Sequence, residues 1–356
     1  MDERTIIKLE VRLHGLDALE IAQAAADQYR DEGNEALHKR ALRRVQLTKE
    51  QIELDAVESA RKAAVRPNDS QLFAGLTNIL LEGSSFELAD GLRLENVFAH
   101  VMAPYIVAFS PAEKGKPHPA PWKAASGGMG YDVTVQIALG KNIRPTNFDR
   151  LNTLWWIASL IRLHHSTGIR TPIVSDTCFR MAATATHDPV FWPIELDTRG
   201  LAFDGHQTNF VVPDSTLHWI SQHFQSGAKQ MDNPEFNLAY QALESAQRAS
   251  SPAEAVIMIW SSLEALIRPG PKSLAHKLSF AIATYLESDL SARDRLYGAA
   301  NDLYAIRGQV THAAEPPSAK DATAAFNLAR RCFLKAIELN EPPKFHELES
   351  KWKTRT

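Results

Sequence analysis

Apolar and polar positions divide the chain into three zones. From Asp17 to about Ala64 the residues are rich in Ala, Glu, Gln, Lys and Arg, with apolar positions at Leu37, Leu42, Val45 and Ile52. Only Gly33 interrupts this zone, and no proline precedes Pro67, so it predicts one or two amphipathic helices. These pack as a helical arm or hairpin, or meet a second copy as a coiled coil, although the heptads are ragged. Before them, Thr5–Leu13 alternates loosely and fits a strand or the start of a helix.

Pro67-Asn68-Asp69-Ser70 is a turn signal, and a mixed zone follows to residue 213. Phe86–Leu88, Leu92–Leu94, Tyr131–Leu139, Thr171–Ser175, Val190–Leu196 and Thr208–Val212 read as strands. Val101–Phe109 reads as a buried strand or helix, and Asn147–His165 as a helix. Residues 111–130 are rich in proline and glycine and predict a long loop. That loop is either a solvated connector or an RNA contact through Lys114, Lys116, Trp122 and Lys123.

From Asp214 the pattern turns helical, with helices expected near 215–226, 234–249, 252–268, 273–287, 291–313 and 319–339. Asp232 or Asn233, Ser251 and Ser318 are the candidate N-caps, two of them followed directly by Pro234 and Pro252. Short connections favour antiparallel neighbours in a bundle. The expected fold class is therefore α+β: a helical segment over 1–66, a mixed α/β domain over 67–213, a helical bundle over 214–342 and a basic, disordered tail over 343–356.

Composition narrows the function classes. The 356 residues are 44% hydrophobic and 23% charged, enough for packed cores. A formal net charge of −3 gives no global basic field, so any nucleic-acid contact is local. Cys178 and Cys332 make no disulfide framework, which fits a reducing cytoplasm. The mixed charges after Met1 predict no signal peptide, and no apolar run is long enough for a membrane span.

Candidate chemistry centres on Arg307-Gly308-Gln309-Val310-Thr311-His312. Arginine offers a permanently charged fork for phosphate, and histidine titrates near neutrality. Leu296, Ala299, Ala300, Leu303, Ile306 and Val310 recur at helical spacing on the same segment and predict a core-facing stripe. Upstream, Glu264 shares a helix face with Trp260. It either orients Arg307 or His312, or makes an ordinary buried salt bridge. Tyr304, one turn before Arg307, either stacks on a base or packs. His276 reads as structural. His164-His165 lacks the spacing of a metal site, and Gly127-Gly128-Met129-Gly130 fits no phosphate-binding loop.

Residues 252–312 resemble the HEPN family of helical domains, specifically its Apea-like branch. The likeness lies in Ile259-Trp260-Ser261-Ser262-Leu263-Glu264-Ala265-Leu266, Lys272-Ser273-Leu274-Ala275-His276-Lys277-Leu278 and Leu303–His312, with flanking helices over 234–340. The resemblance implies a bundle of four or five helices. It also implies a metal-independent endoribonuclease without cofactors, with Arg307 and His312 catalytic. Active members work as homodimers whose two motifs share one cleft on RNA. They serve in defence against phage or in toxin-like growth arrest, under a phage or cellular trigger. Two positions depart from the family pattern. Gly308 stands where many members carry Asn, Asp or Ser, and Ala314 where some carry a modifiable tyrosine. A non-catalytic scaffold for nucleotides or protein partners is the alternative, and an active site within 70–213 is a third.

Overall fold

The computed structural model describes residues 7, 17–64, 71–113, 119–143, 148–165, 168–186, 188–194, 210–312 and 316–353. They belong to two compact units, residues 1–67 and 68–356. The expectations for Pro67–Ser70 and for Thr5–Leu13, apart from Ile7, fall outside the described residues.

In the first unit, α1 (Asp17–Asp31) and α2 (Glu35–Ala64) form a helical hairpin. Gly33 turns the chain at φ +69°, a conformation that a side chain strains. Asn34 then caps α2, its side chain accepting from the Leu37 amide at 3.2 Å. The seam is built from small residues: Ala22, Ala26, Ala41 and Val45 are buried together, and Ala18 is buried further along. Val45 and Ile52 pack as expected. Leu37 and Leu42 do not, being exposed. Two helices approaching along alanines leave the larger side chains on the rim.

The second unit contains a six-stranded antiparallel sheet in the order β3-β4-β5-β1-β6-β7. Its strands are β1 (Leu72–Thr77), β3 (Ser85–Ala89), β4 (Leu92–Ala108), β5 (Trp122–Leu139), β6 (Ile173–Ser175) and β7 (Phe191–Pro193). A separate parallel pair joins β2 (Ile79–Leu81) to β8 (Phe210–Val212). Two expectations change here, and one strand was not anticipated. Residues 122–130 are not loop but the first half of β5, paired with β4 from Ala108↔Trp122 to Met102↔Gly130. β4 is a single 17-residue strand, and its Met102, Val107 and the following Phe109 are exposed rather than buried. β1 has every residue buried, so it shows none of the alternation by which strands are recognised.

The helices are α3 (Arg150–His165), α4 (Asp214–Gln230), α5 (Pro234–Ala246), α6 (Pro252–Ile267), α7 (Leu274–Leu286), α8 (Leu290–His312), α9 (Ala319–Leu339) and α10 (Phe345–Lys353). Asn233 and Ser251 cap α5 and α6, and Ser318 forms a capping box with Asp321 on α9. The boundary expected at 213 separates no compact units, because α3 belongs to both layers. Its Trp156 donates to the Phe224 carbonyl at 2.8 Å, its Ser159 bonds Tyr240 at 2.7 Å, and its Arg162 pairs with Glu244 at 2.7 Å. Gly227 permits this contact, since a Cβ there would lie 2.9 Å from the buried Trp156 ring. The described part of the expected tail is helical rather than disordered: α10 buries Leu348 and sets Phe345 under Lys277.

Candidate active site

Two helices position the site. α6 starts at the Ser251 cap, whose hydroxyl accepts from the Glu254 amide at 3.2 Å. It runs through the fully buried Trp260 and stops at Arg268, which takes a left-handed conformation. α8 starts at Asp289, whose carboxylate accepts from the Ala292 amide at 2.8 Å. Trp260 and Glu264 are one turn apart on α6, and Tyr304 and Arg307 one turn apart on α8, so each pair shares a face.

These four side chains meet. The Tyr304 ring stands edge-on to Trp260 with centroids 4.9 Å apart. Its hydroxyl donates to Glu264 Oε1 at 3.1 Å, and Arg307 Nη2 lies 3.3 Å from the same oxygen. The Arg307 guanidinium is 5.3 Å from the Tyr304 ring centroid, within cation–π range. Burial, then the Glu264 charge, pushes the Tyr304 hydroxyl up to about 12, so it stays a donor at neutral pH. Tyr304 therefore packs on Trp260, and Glu264 engages Arg307 directly. The Arg307 and Glu264 side chains keep 26% and 23% of their surface open to solvent.

The helix continues unbroken to His312, whose Cα lies about 7.5 Å along the axis from Arg307 and about 140° around it. The His312 side chain is outside the described residues. The stripe expected to face the core is only partly covered. Ala300 is buried, Leu296, Leu303, Ile306 and Val310 are half-buried, and Ala299 is exposed.

Other candidates lie elsewhere. Trp122 and Lys123 open β5 where it pairs with the end of β4, both exposed, with the Trp122 indole donating to the Pro119 carbonyl at 3.0 Å. Lys114 and Lys116 are outside the described residues. His276 bonds the Tyr297 hydroxyl at 2.8 Å and so ties α7 to α8.

One cluster escaped sequence reasoning. His164 sits edge-on to Trp219 at 4.4 Å, Trp219 stacks on His223 at 4.6 Å, and His165 Nε2 bonds Thr216 Oγ1 at 2.8 Å. Arg330 donates to the His164 carbonyl. Burial first, then neighbouring positive charge, lowers both His164 and His165 to about 4, so both rings are neutral at pH 7. Their partners come from α4 and α9, and only the adjacent His164-His165 was visible as a signal. No protein-family model, curated protein or solved structure matches the chain, so the reading of the site stands on these residues alone.

Proposed function

We propose that the protein is a metal-independent endoribonuclease of the HEPN type, with Arg307 and His312 as its catalytic residues. The observation that carries this reading is Arg307 itself. It is held by one Glu264 oxygen and the Tyr304 face, it remains partly open, and it lies on the unbroken helix that also bears His312. The Glu264 oxygen and the Tyr304 ring would hold the guanidinium against the charge that develops on a phosphodiester.

In the proposed reaction the ribose 2′-oxygen attacks phosphorus and the P–O5′ bond breaks. One His312 takes the 2′ proton, and the His312 of a second copy protonates the departing O5′. The products are a 2′,3′-cyclic phosphate and a 5′-hydroxyl. Arg307 stabilises the extra negative charge on the nonbridging oxygens. The half-buried stripe of Leu296, Leu303, Ile306 and Val310 supports the second copy, because it gives α8 apolar surface for a partner to cover.

The test is cleavage of single-stranded RNA in chelator, with product ends identified chemically. His312→Ala should slow cleavage at least about a hundredfold while leaving Tm unchanged. Cleavage by this variant at the wild-type rate removes the assignment. A scaffold without catalysis is the second reading, favoured by the Glu264 carboxylate, which already neutralises Arg307. Purified dimer that binds RNA but never cuts it, with any trigger supplied, selects that reading.

A further inference from the structure

The two flanks of α8 differ in chemistry on either side of its buried Ala300. At about 100° per residue and with Arg307 as zero, Leu303, Val310, Ala299 and Ile306 fall between about −40° and −100°. That flank is apolar. Tyr304, Tyr297 and Asn301 fall at about +60°, +80° and +120°, on the other side. Along the axis Asn301 stands about 6 Å from Tyr297 and about 4.5 Å from Tyr304, one turn from each.

Both tyrosines are engaged within the protein. His276 of α7 bonds the Tyr297 hydroxyl at 2.8 Å, and the Tyr304 hydroxyl donates to Glu264 of α6 at 3.1 Å. Asn301 is half-buried, yet among the described residues its side-chain amide makes no hydrogen bond. Other half-buried asparagines show what the fold does with such a group. The Asn78 side chain donates to the Gly168 carbonyl at 2.8 Å, Asn96 to the Gly83 carbonyl at 2.8 Å and Asn237 to the Met231 carbonyl at 3.1 Å. Asn301 instead keeps both a donor and an acceptor for something outside the chain.

Chemistry selects the ligand. Aromatic side chains offer a surface on which any base can lie. The acids nearby, Asp294 about two turns back and Asp302 next in sequence, are exposed and disfavour a phosphate at this point. That leaves the base as the part of a nucleotide for Asn301 to meet. Arg307 is about 9 Å further along the axis, so a phosphate held there and a base held at Asn301 belong to one nucleotide or to adjoining ones. Asparagine matches adenine at two points, N6 and N7, whereas guanine presents acceptors at both O6 and N7.

We propose that Asn301 is a base-reading residue, which takes an adenine of bound single-stranded RNA on the flank it shares with Tyr297 and Tyr304. The choice of RNA rests on the ribonuclease reading above. The experiment uses the full chain carrying His312→Ala, so that RNA stays intact, with and without Asn301→Ala. The probes are labelled oligouridines of about 20 nucleotides with three central adenosines, with three central guanosines, or with neither, and binding is followed by fluorescence anisotropy. With Asn301 present, the adenosine probe should bind on the order of tenfold more tightly than the guanosine probe. Asn301→Ala should remove that difference and leave the affinity for plain oligouridine in place. Alanine is the better helix former, so Tm should not fall.

Equal or reversed affinities for the adenosine and guanosine probes with Asn301 present overturn the proposal, as does the absence of binding to every probe. A preference for adenosine that survives Asn301→Ala overturns it too. If the preference vanishes with Asn301 as expected but the chain with His312 restored never cuts RNA, the base site stands and the ribonuclease reading fails.

Discussion

Arg162–Glu244 and Arg307–Glu264 both join one helix to another, and they differ in one respect that decides what each can do. Arg162 on α3 and Glu244 on α5 are 2.7 Å apart, with side chains only 2% and 4% exposed. Arg162 also donates to the Ile169 carbonyl at 3.3 Å, and Gln247 donates to the other Glu244 oxygen at 2.9 Å. Arg307 and Glu264 are 3.3 Å apart, 26% and 23% exposed, and share the carboxylate oxygen with Tyr304. The first pair is sealed and its strength is spent on joining the sheet layer to the bundle. The second is longer and keeps about a quarter of each side chain in solvent, and under the proposed function its guanidinium would take a phosphate by the same fork geometry. Residue type is the same in both; exposure separates the structural pair from the candidate ligand site.

The most direct way to break this contrast is to remove each carboxylate. Glu244→Ala leaves a buried, uncompensated guanidinium and should cost about 3–5 kcal/mol, read as a large fall in the denaturant midpoint. Glu264→Gln should cost no more than about 1 kcal/mol, as for exposed pairs. It should also lower RNA cleavage without lowering RNA binding, because Arg307 loses its orientation and keeps its charge. Comparable destabilisation by the two substitutions would make the α6–α8 pair another structural joint.

Protonation sharpens the same comparison without mutation at either pair. His164 and His165 end α3, the helix that carries Arg162, and both are held at about 4 by burial and neighbouring positive charge. Their folded values lie below the unfolded value of 6.5. Above that pH both states are neutral and nothing is lost. As pH falls from 6.5 toward 4, the unfolded chain takes protons that the native rings refuse, so stability declines across that window and the loss is complete below it. Tm should therefore begin to fall near pH 6.5, ahead of most carboxylate titration, and His164→Phe should flatten the early part of the curve. A flat Tm between pH 6.5 and 5 would mean that the rings are not kept neutral.

What the sequence disclosed follows the range of the interactions involved. The caps at Asn233, Ser251 and Ser318 act over three residues, so they were legible together with the helices they start. β1 was not, because burial on both faces erases the period of two. The first half of β5 was not either: its glycines suggested a loop, and only pairing with β4 makes it a strand. In α2, alanine packing displaced the leucines that drew attention. At the candidate site, helical spacing placed Tyr304 with Arg307 and Trp260 with Glu264. That one Glu264 oxygen serves both Tyr304 and Arg307, across 40 residues of chain in the Tyr304 bond, is a tertiary fact that no local pattern carries.

Gly308 offers the smallest change and the finest test of how open α8 is. Glycine within a helix costs about 1 kcal/mol relative to alanine. A Cβ placed on Gly308 meets nothing within 4 Å, in contrast to Gly227, where it would press on Trp156. In the isolated chain Gly308→Ala should therefore stabilise α8 by roughly 0.5–1 kcal/mol, seen as a modest rise in Tm. If the protein is the proposed ribonuclease and the space beside Gly308 is solvent, cleavage should keep its rate. If a phosphate or a second copy fills that space, the added methyl group should slow cleavage or weaken dimerisation although the fold has become more stable. Stability and activity moving in opposite directions on one methyl group would place the occupant beside Arg307. Both staying level would leave the openness of the Arg307–Glu264 pair as the property of a solvated helix face.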